Sequence, residues 1–357
     1  MDFFRGLVEK IKDEDTSMAV DGKGSAEFSG WIDTGCYMMN ALCSGSIFGG
    51  MPNNKVLTLA GESSTGKTFI SLGIVKQFLD KHPNGGVVYF DTESAITNKM
   101  MIDRNIDPKR IIRSEPSTIE DFRNKAVRIL TAYEEHDKRP PMMFVLDSLS
   151  VLSSNKELKD AAEEKDVKDM TKAGLIKGVF RVLRLRLARL GIPMICTSHI
   201  YANVGGYGPI QQMSSGSGPR YSSDAIAWLK KRSEKQGEKE EAEVIGSLIT
   251  VSMFKSRLTK EGQKVEMKVS FETGLDRWHG LLEFGERAGV FTRKGNYYNM
   301  KEGKFFAKQI YKDPERFFTQ DVLEQLDQAA KETFQYGGIR ELQALEDDEE
   351  EGELAEA

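Results

Sequence analysis

Eight consecutive residues constrain this chain more than any others: Gly61, Glu62, Ser63, Ser64, Thr65, Gly66, Lys67 and Thr68. They fit G-x-x-x-x-G-K-[ST], the pattern of a phosphate-binding loop. The pattern has meaning only between a buried strand and a helix, and the flanks supply both. Residues 56–60 are apolar and partly β-branched, which reads as a strand. Residues 69–75 read as a helix. Glycine lets backbone N–H groups turn inward around a phosphate, and the helix N-terminus adds partial positive charge. In that setting Lys67 reaches the β- and γ-phosphates of a nucleotide, and the Thr68 hydroxyl binds Mg²⁺.

Alternation of strands and helices extends the α/β pattern. Strands are predicted over 87–91, 142–147 and 192–197, with helices over 119–135 and 166–190. Such alternation argues for a mainly parallel sheet. Residues 225–230, 248–255 and 265–271 follow without long helices, so the sheet is expected to end in antiparallel strands. Residues 1–13 have helical apolar spacing and read as a short amphipathic helix that packs on its own core or, as the favoured reading, on a neighbour. Helices are expected near 280–288 and over 319–334. The domain expectation is an N-terminal helix and linker over 1–30, an ATPase core over 31–275, a small α/β region over 276–345, and a disordered acidic tail over 346–357.

Charge matters chiefly through that tail. It holds eight acidic residues and no basic one, so the remainder of a chain of net charge -5 is close to +3. No apolar run has membrane-spanning length. The three cysteines, Cys36, Cys43 and Cys196, fit no metal spacing and suit reduced thiols in a cytoplasm.

Chemistry is expected at the strand ends. Asp147 ends an apolar strand, where a carboxylate holds Mg²⁺ or merely caps the next segment. Glu93 and Asp91 follow the second strand, and either is a candidate to orient the attacking water; spacing favours Glu93. His199 follows the fourth strand, as a γ-phosphate sensor or as a satisfied histidine. Residues 200–223 form a long glycine-rich segment with Tyr201, Gly205, Gly206, Gln211, Gln212, Met213, Gly216, Gly218 and Arg220. Amides, aromatics and backbone donors in such a loop suit single-stranded nucleic acid, with a lid as the alternative. Residues 153–172, ending at Lys172, form a second such segment. Lys255 and Arg257 are spaced i and i+2 at a strand end and share a face, as a solvated edge or as cations reaching a nucleotide on the next subunit.

This ordered set resembles the RecA-type strand-exchange recombinases, and within them the phage members. The resemblance rests on Gly61–Thr68 together with Phe90-Asp91-Thr92-Glu93-Ser94-Ala95, Val145-Leu146-Asp147-Ser148 and Lys255-Ser256-Arg257. Asp169-Met170-Thr171-Lys172-Ala173, Ser217-Gly218-Pro219-Arg220-Tyr221-Ser222 and Gly274-Leu275-Asp276 support the narrower match. It runs from about Trp31 to about Gly303. It implies a RecA-like fold, ATP and Mg²⁺ as cofactors, and an ATPase that forms a helical homo-oligomeric filament on single-stranded DNA. Such a filament pairs that strand with homologous duplex DNA and exchanges strands, in recombination, repair and recombination-dependent replication. A single-stranded DNA-binding protein and a recombination mediator are the implied partners. Glu93 falls on the family's water-activating glutamate, and His199 on a γ-phosphate-sensing position. Residues 153–172 and 200–223 fall on the two DNA-binding loops, and Lys255 and Arg257 on positions that reach ATP across the subunit interface. Near the adenine, where the family often has an acidic residue and a tyrosine, this chain has Thr97 and Met100; Phe271 is the ring expected on the other face. A ring-forming helicase or translocase, and an ATPase that only loads other proteins, are the competing classes. The first predicts closed rings, and the second no stimulation of hydrolysis by DNA.

Overall fold

The computed structural model describes residues 2–13, 16–21, 27–165, 169, 171–202, 211–215, 218–236 and 243–336. The acidic tail, Gly205, Gly206, Gly216 and the Gln211 side chain lie outside the described residues. In chain order the elements are α1 (Asp2–Ile11), β1 (Trp31–Ile32), α2 (Tyr37–Ser44), β2 (Met51–Pro52), β3 (Val56–Gly61), α3 (Lys67–Lys81), β4 (Gly86–Asp91), α4 (Asn98–Ile102), β5 (Ile111–Ser114) and α5 (Ile119–Glu134). They continue with β6 (Met142–Asp147), α6 (Asn155–Ala162), α7 (Lys172–Arg189), β7 (Met194–Ala202), β8 (Gln211–Met213), α8 (Gly218–Ser222), β9 (Ala225–Gln236), β10 (Glu243–Lys255), β11 (Lys264–Ser270) and β12 (Gly274–Leu275). The last stretch holds α9 (Leu281–Arg287), β13 (Thr292–Lys294), β14 (Tyr297–Met300), β15 (Gly303–Phe306), α10 (Ala307–Lys312), α11 (Pro314–Phe317) and α12 (Gln320–Phe334).

The chain forms two compact units, each assembled from three stretches. The first comprises residues 1–32, 52–59 and 78–223. Its strand order is β3-β7-β6-β4-β5, with β8 beside β7. Strands β5, β4, β6 and β7 run parallel, so both faces need cover, and the central strands β4 and β6 read as continuous apolar runs. Helices α5 and α7 supply part of that cover. Phe90 packs edge-on against Phe122 of α5 at 4.9 Å and against Phe144 of β6 at 5.5 Å. Phe180, Leu183 and Leu187 of α7 close the same core. Strand β5 is an edge strand that the sequence pattern missed. It has only four residues, and Ile112 is exposed, so no clean alternation marks it.

The second unit comprises residues 33–51, 60–77 and 224–357. Strands β9 to β12 are antiparallel neighbours in sequence order, as the short connections required. Helix α2 is buried along its whole length. Thr259 Oγ1 donates to Leu42 O at 2.8 Å, and Asp327 accepts from Ser46 Oγ and Ile47 N at 2.5 and 2.8 Å. A three-stranded meander, β13-β14-β15, lies between α9 and α10. Both helices foreseen in this part of the chain form, as α9 and α12; the meander was not foreseen.

Candidate active site

The phosphate loop belongs to the second unit. Gly66 has φ +93°, and a side chain there would press on Ile249 Cδ1 at 3.1 Å. Glycine is therefore required by both backbone and space. Gly61 is confined in the same way: an added Cβ would stand 2.9 Å from Leu229 O and 2.6 Å from Thr65 Oγ1. Lys67 is buried, and its ammonium donates to Gly61 O and Glu62 O at 3.0 and 2.8 Å. Thr65 Oγ1 donates to Glu62 O at 2.8 Å, and Lys231 Nζ donates to Ser64 O at 3.1 Å. Ser64 itself has φ +61°. The loop is thus a tight turn in which the carbonyls of Gly61, Glu62 and Ser64 accept from side chains, with Ser63 and Ser64 exposed at its crest and Thr68 in the first turn of α3.

The carboxylates lie in the first unit, at the ends of parallel strands. Asp147 is buried and accepts from Tyr89 Oη at 2.9 Å and Thr197 Oγ1 at 2.5 Å. Burial and the Asp147 charge push the Tyr89 phenol well above its ordinary pKa, so it stays a donor. The ends of β4 and β6 are fastened together: Thr92 N donates to Asp147 O at 2.9 Å, and Ser148 N to Thr92 Oγ1 at 2.7 Å. This brings Glu93 over Ser148, whose hydroxyl donates to Glu93 Oε1 at 2.6 Å. His199 Nε2 meets the same oxygen at 3.0 Å. The contact is attractive with the proton on Nε2. Asp91 is used differently. It is buried, and its two oxygens accept from Ala95 N and Ile96 N, each at 3.1 Å. It fixes the turn that presents Glu93.

The two long polar segments prove to be partly regular. Within 153–172, α6 begins with a capping box, in which Ser154 Oγ accepts from Glu157 N and Glu157 accepts from Ser154 N, each at 3.0 Å. The Ser154-x-x-Glu157 spacing could have announced it. Asp169 accepts from Ser154 Oγ at 2.5 Å and from Thr171 Oγ1 at 2.6 Å. These hydroxyls, Thr171 N and nearby Lys156 hold the Asp169 carboxyl down at about 2. Lys172 Nζ pairs with Glu157 at 3.2 Å. Within 200–223, the fourth predicted strand starts two residues late and continues through His199 to Ala202, because β8 returns beside it in the register Ile200–Met213, Tyr201–Gln212 and Ala202–Gln211. Tyr201 is exposed, Met213 is buried, and Arg220 is exposed on α8. Gly218 is buried against α7: a Cβ there would stand 2.4 Å from Ile176 Cγ2, so close packing dictates the residue.

Strand alternation does not place Lys255 and Arg257 on one face. Strand β10 ends at Lys255 after a register shift between Met253 and Lys255. Arg257 lies in a bend organised by Ser256 Oγ, which accepts from Leu258 N and Thr259 N at 3.1 and 2.9 Å. The Arg257 guanidinium is half exposed and stands 3.5 Å from Asp224. Phe271 is 67% exposed just beyond β11, and Thr97 caps α4 by accepting from Met100 N at 3.1 Å.

The profile of the RecA N-terminal domain matches residues 8–276. The chain belongs to the RecA family. A "Recombination and repair protein" of Enterobacteria phage T4 is 32% identical over 265 residues, 74% of this chain and 66% of that protein, so the match spans slightly less than two thirds of that relative. "Protein RecA" of Campylobacter lari is 25% identical over 260 residues, 72% of this chain and 71% of that protein. The crystal structure of the RadB recombinase aligns with TM-score 0.47 and 19% identity, covering 68% of this chain and 98% of that one.

For a RecA-family chain, the donor set fits ATP with Mg²⁺. The loop supplies the buried Lys67 ammonium, held by Gly61 O and Glu62 O, as a cation for phosphate. Asp147 in the first unit and the Thr68 hydroxyl in the second are each oxygen donors of the kind that Mg²⁺ takes. Among the described residues no cluster of three or more His, Cys, Asp or Glu side chains forms an all-protein metal site. Sequence reasoning missed the roles of Ser148 and Thr197 in holding Glu93 and Asp147. The signal was present as hydroxyls directly after Asp147 and two residues before His199. Among the described residues no helix is long and apolar enough to cross a membrane.

Proposed function

We propose that the chain is an ATP-dependent DNA recombinase: a DNA-stimulated ATPase that assembles on single-stranded DNA and pairs it with homologous duplex. The observation that carries the catalytic half is the Glu93 carboxylate, held by Ser148 and His199 at the strand end beside Asp147. A carboxylate fixed by two donors keeps one orientation and can align a water for attack on a γ-phosphate. Lys67, Thr68 and the backbone amides of 61–68 would hold ATP and Mg²⁺, with Asp147 as the second protein oxygen. The metal would neutralise charge on the phosphates. His199 would register the γ-phosphate through the contact it now makes with Glu93. Lys255 and Arg257 would act on a neighbouring subunit's nucleotide, which makes turnover depend on assembly. Tyr201, Gln212 and Arg220 suit stacking and backbone contacts, with sequence chosen by base pairing rather than by the protein. Helix α1, whose Phe3, Phe4, Leu7 and Ile11 are exposed, suits docking on a neighbour.

The test is ATP hydrolysis with and without single-stranded DNA, with electron microscopy of the same samples. Strong stimulation together with open helical filaments is expected. Stimulation with closed rings would move the assignment to a translocase, and neither stimulation nor assembly would overturn it.

A further inference from the structure

The β6–β7 ladder ends at Leu146–Cys196, and one further bond, Leu149 N to Thr197 O at 3.0 Å, extends it. Beyond that point the backbone of His199 needs partners from elsewhere. Its N–H donates to Ser150 Oγ at 2.7 Å, so a side chain takes the place of a strand neighbour. Its carbonyl accepts from Ser214 N at 2.9 Å and Ser214 Oγ at 3.1 Å. Ser214 Oγ also reaches Ser150 Oγ at 2.7 Å. Ser198 Oγ lies 3.2 Å from Ser150 Oγ and 2.8 Å from Ser215 Oγ, and both Ser198 and Ser215 are buried. One hydroxyl therefore joins three segments: the stretch after Asp147, the backbone that carries His199, and the far end of the β7–β8 hairpin.

We propose that Ser150 is a positioning residue of the ATPase reaction, tying the His199 backbone to Ser214 so that the state of the β7–β8 hairpin sets how His199 meets Glu93. The inference rests on the ATPase reading above and adds to it the residue through which hairpin and sensor are mechanically joined. A hydroxyl suits this task. Its two lone pairs accept the His199 N–H and the Ser214 hydroxyl together, and its own proton is left for Ser198 Oγ. An apolar side chain of similar size would leave the His199 N–H without its partner.

The experiment measures kcat and KM for ATP, with and without a poly(dT) oligonucleotide, for the parent, Ser150→Ala, Ser150→Thr, Ser214→Ala and the Ser150→Ala/Ser214→Ala double variant. Loss of one hydrogen bond predicts that Ser150→Ala lowers the ratio of stimulated to basal turnover about fivefold, in kcat rather than KM. Ser150→Thr, which keeps the hydroxyl, restores the ratio. The double variant loses no more than Ser150→Ala alone, because both changes break one tie. A parent-like ratio in Ser150→Ala, a proportional fall of basal and stimulated rates, or failure of threonine to rescue would each overturn the proposal. Amide hydrogen exchange supplies an arm that needs no turnover: Ser150→Ala should speed exchange at both His199 and Ser214, and unchanged exchange at either refutes the tie. A parent whose turnover ignores DNA would instead overturn the functional reading, while the exchange arm still decides whether the tie exists.

Discussion

The ends of β4, β6 and β7 and the bend after β10 both carry candidate catalytic groups, but they hold them in opposite ways. At the parallel strand ends the carboxylates of Asp147 and Glu93 are each held by two side chains of the same unit. Tyr89 and Thr197 fix Asp147, and Ser148 and His199 fix Glu93. At the bend, the Arg257 guanidinium is 52% exposed and faces an Asp224 carboxylate that is only 10% exposed, at the loose distance of 3.5 Å. Preorganised groups act on charge that develops where they already point. A cation on an exposed bend keeps its rotamer freedom until something else orders it. The difference teaches that, under the function proposed, the water-aligning half would be finished within one chain, whereas the cation half would be completed from outside.

The sharpest way to break this contrast is Glu93→Gln. It keeps the shape and the Ser148 contact but removes the charge, and turnover should fall by about 10⁴ while ATP affinity stays within about twofold. Turnover within about tenfold of the parent would remove Glu93 from its role. Next comes Arg257→Ala, expected to cost about 10³ in DNA-stimulated hydrolysis, with little change in nucleotide binding to the unassembled protein. Mixing it with Glu93→Gln subunits should restore partial turnover if Arg257 serves a neighbour. Absence of any complementation would place both groups on one subunit's nucleotide and collapse the comparison.

Smaller effects sharpen it. Asp169 titrates near 2 in the folded protein, against about 3.9 in an unfolded chain. The stabilisation it brings is complete above about pH 4 and is lost as pH falls through about 2. Asp169→Asn should therefore lower the urea midpoint at pH 5, and its gap from the parent should narrow steadily on acidification. A constant gap would show that the carboxylate's charge contributes nothing to the base of α6 and α7. The least effect concerns the thiols. Burial pushes Cys36 up to about 11, Cys43 up to about 12, and Cys196 upward as well. At pH 8 a disulfide-exchange reagent should label none of them until denaturant is added. Rapid native labelling of Cys196 would mean that β7 opens beneath His199.

Much of this was legible in the sequence where a single local rule governs. The phosphate loop announces itself because glycine, lysine and threonine must stand at fixed offsets between a strand and a helix. Strands β4 and β6 were bounded to within a residue because burial on both faces makes them continuous apolar runs. Where the signal is a relation between distant residues, it was silent. Nothing in Ser150 or Ser214 alone says that they meet. Strand β7 was cut short because its continuation is specified by pairing with β8, ten residues away and polar. The paired placement of Lys255 and Arg257 failed because Ser256 captures two amides and ends the strand period between them.

The division of the chain into interleaved stretches has a consequence for how the protein is made. The phosphate loop leaves the ribosome early, but the residues that confine it, Leu229 and Ile249, are synthesised roughly 160 to 190 residues later. A nascent chain stopped at Ser223 holds all of the first unit and only two of the three stretches of the second. Such a fragment carries Asp147 and Glu93 but lacks Leu229 and Ile249, which confine Gly61 and Gly66, so the walls of the phosphate loop are supplied only once Ile249 has been made.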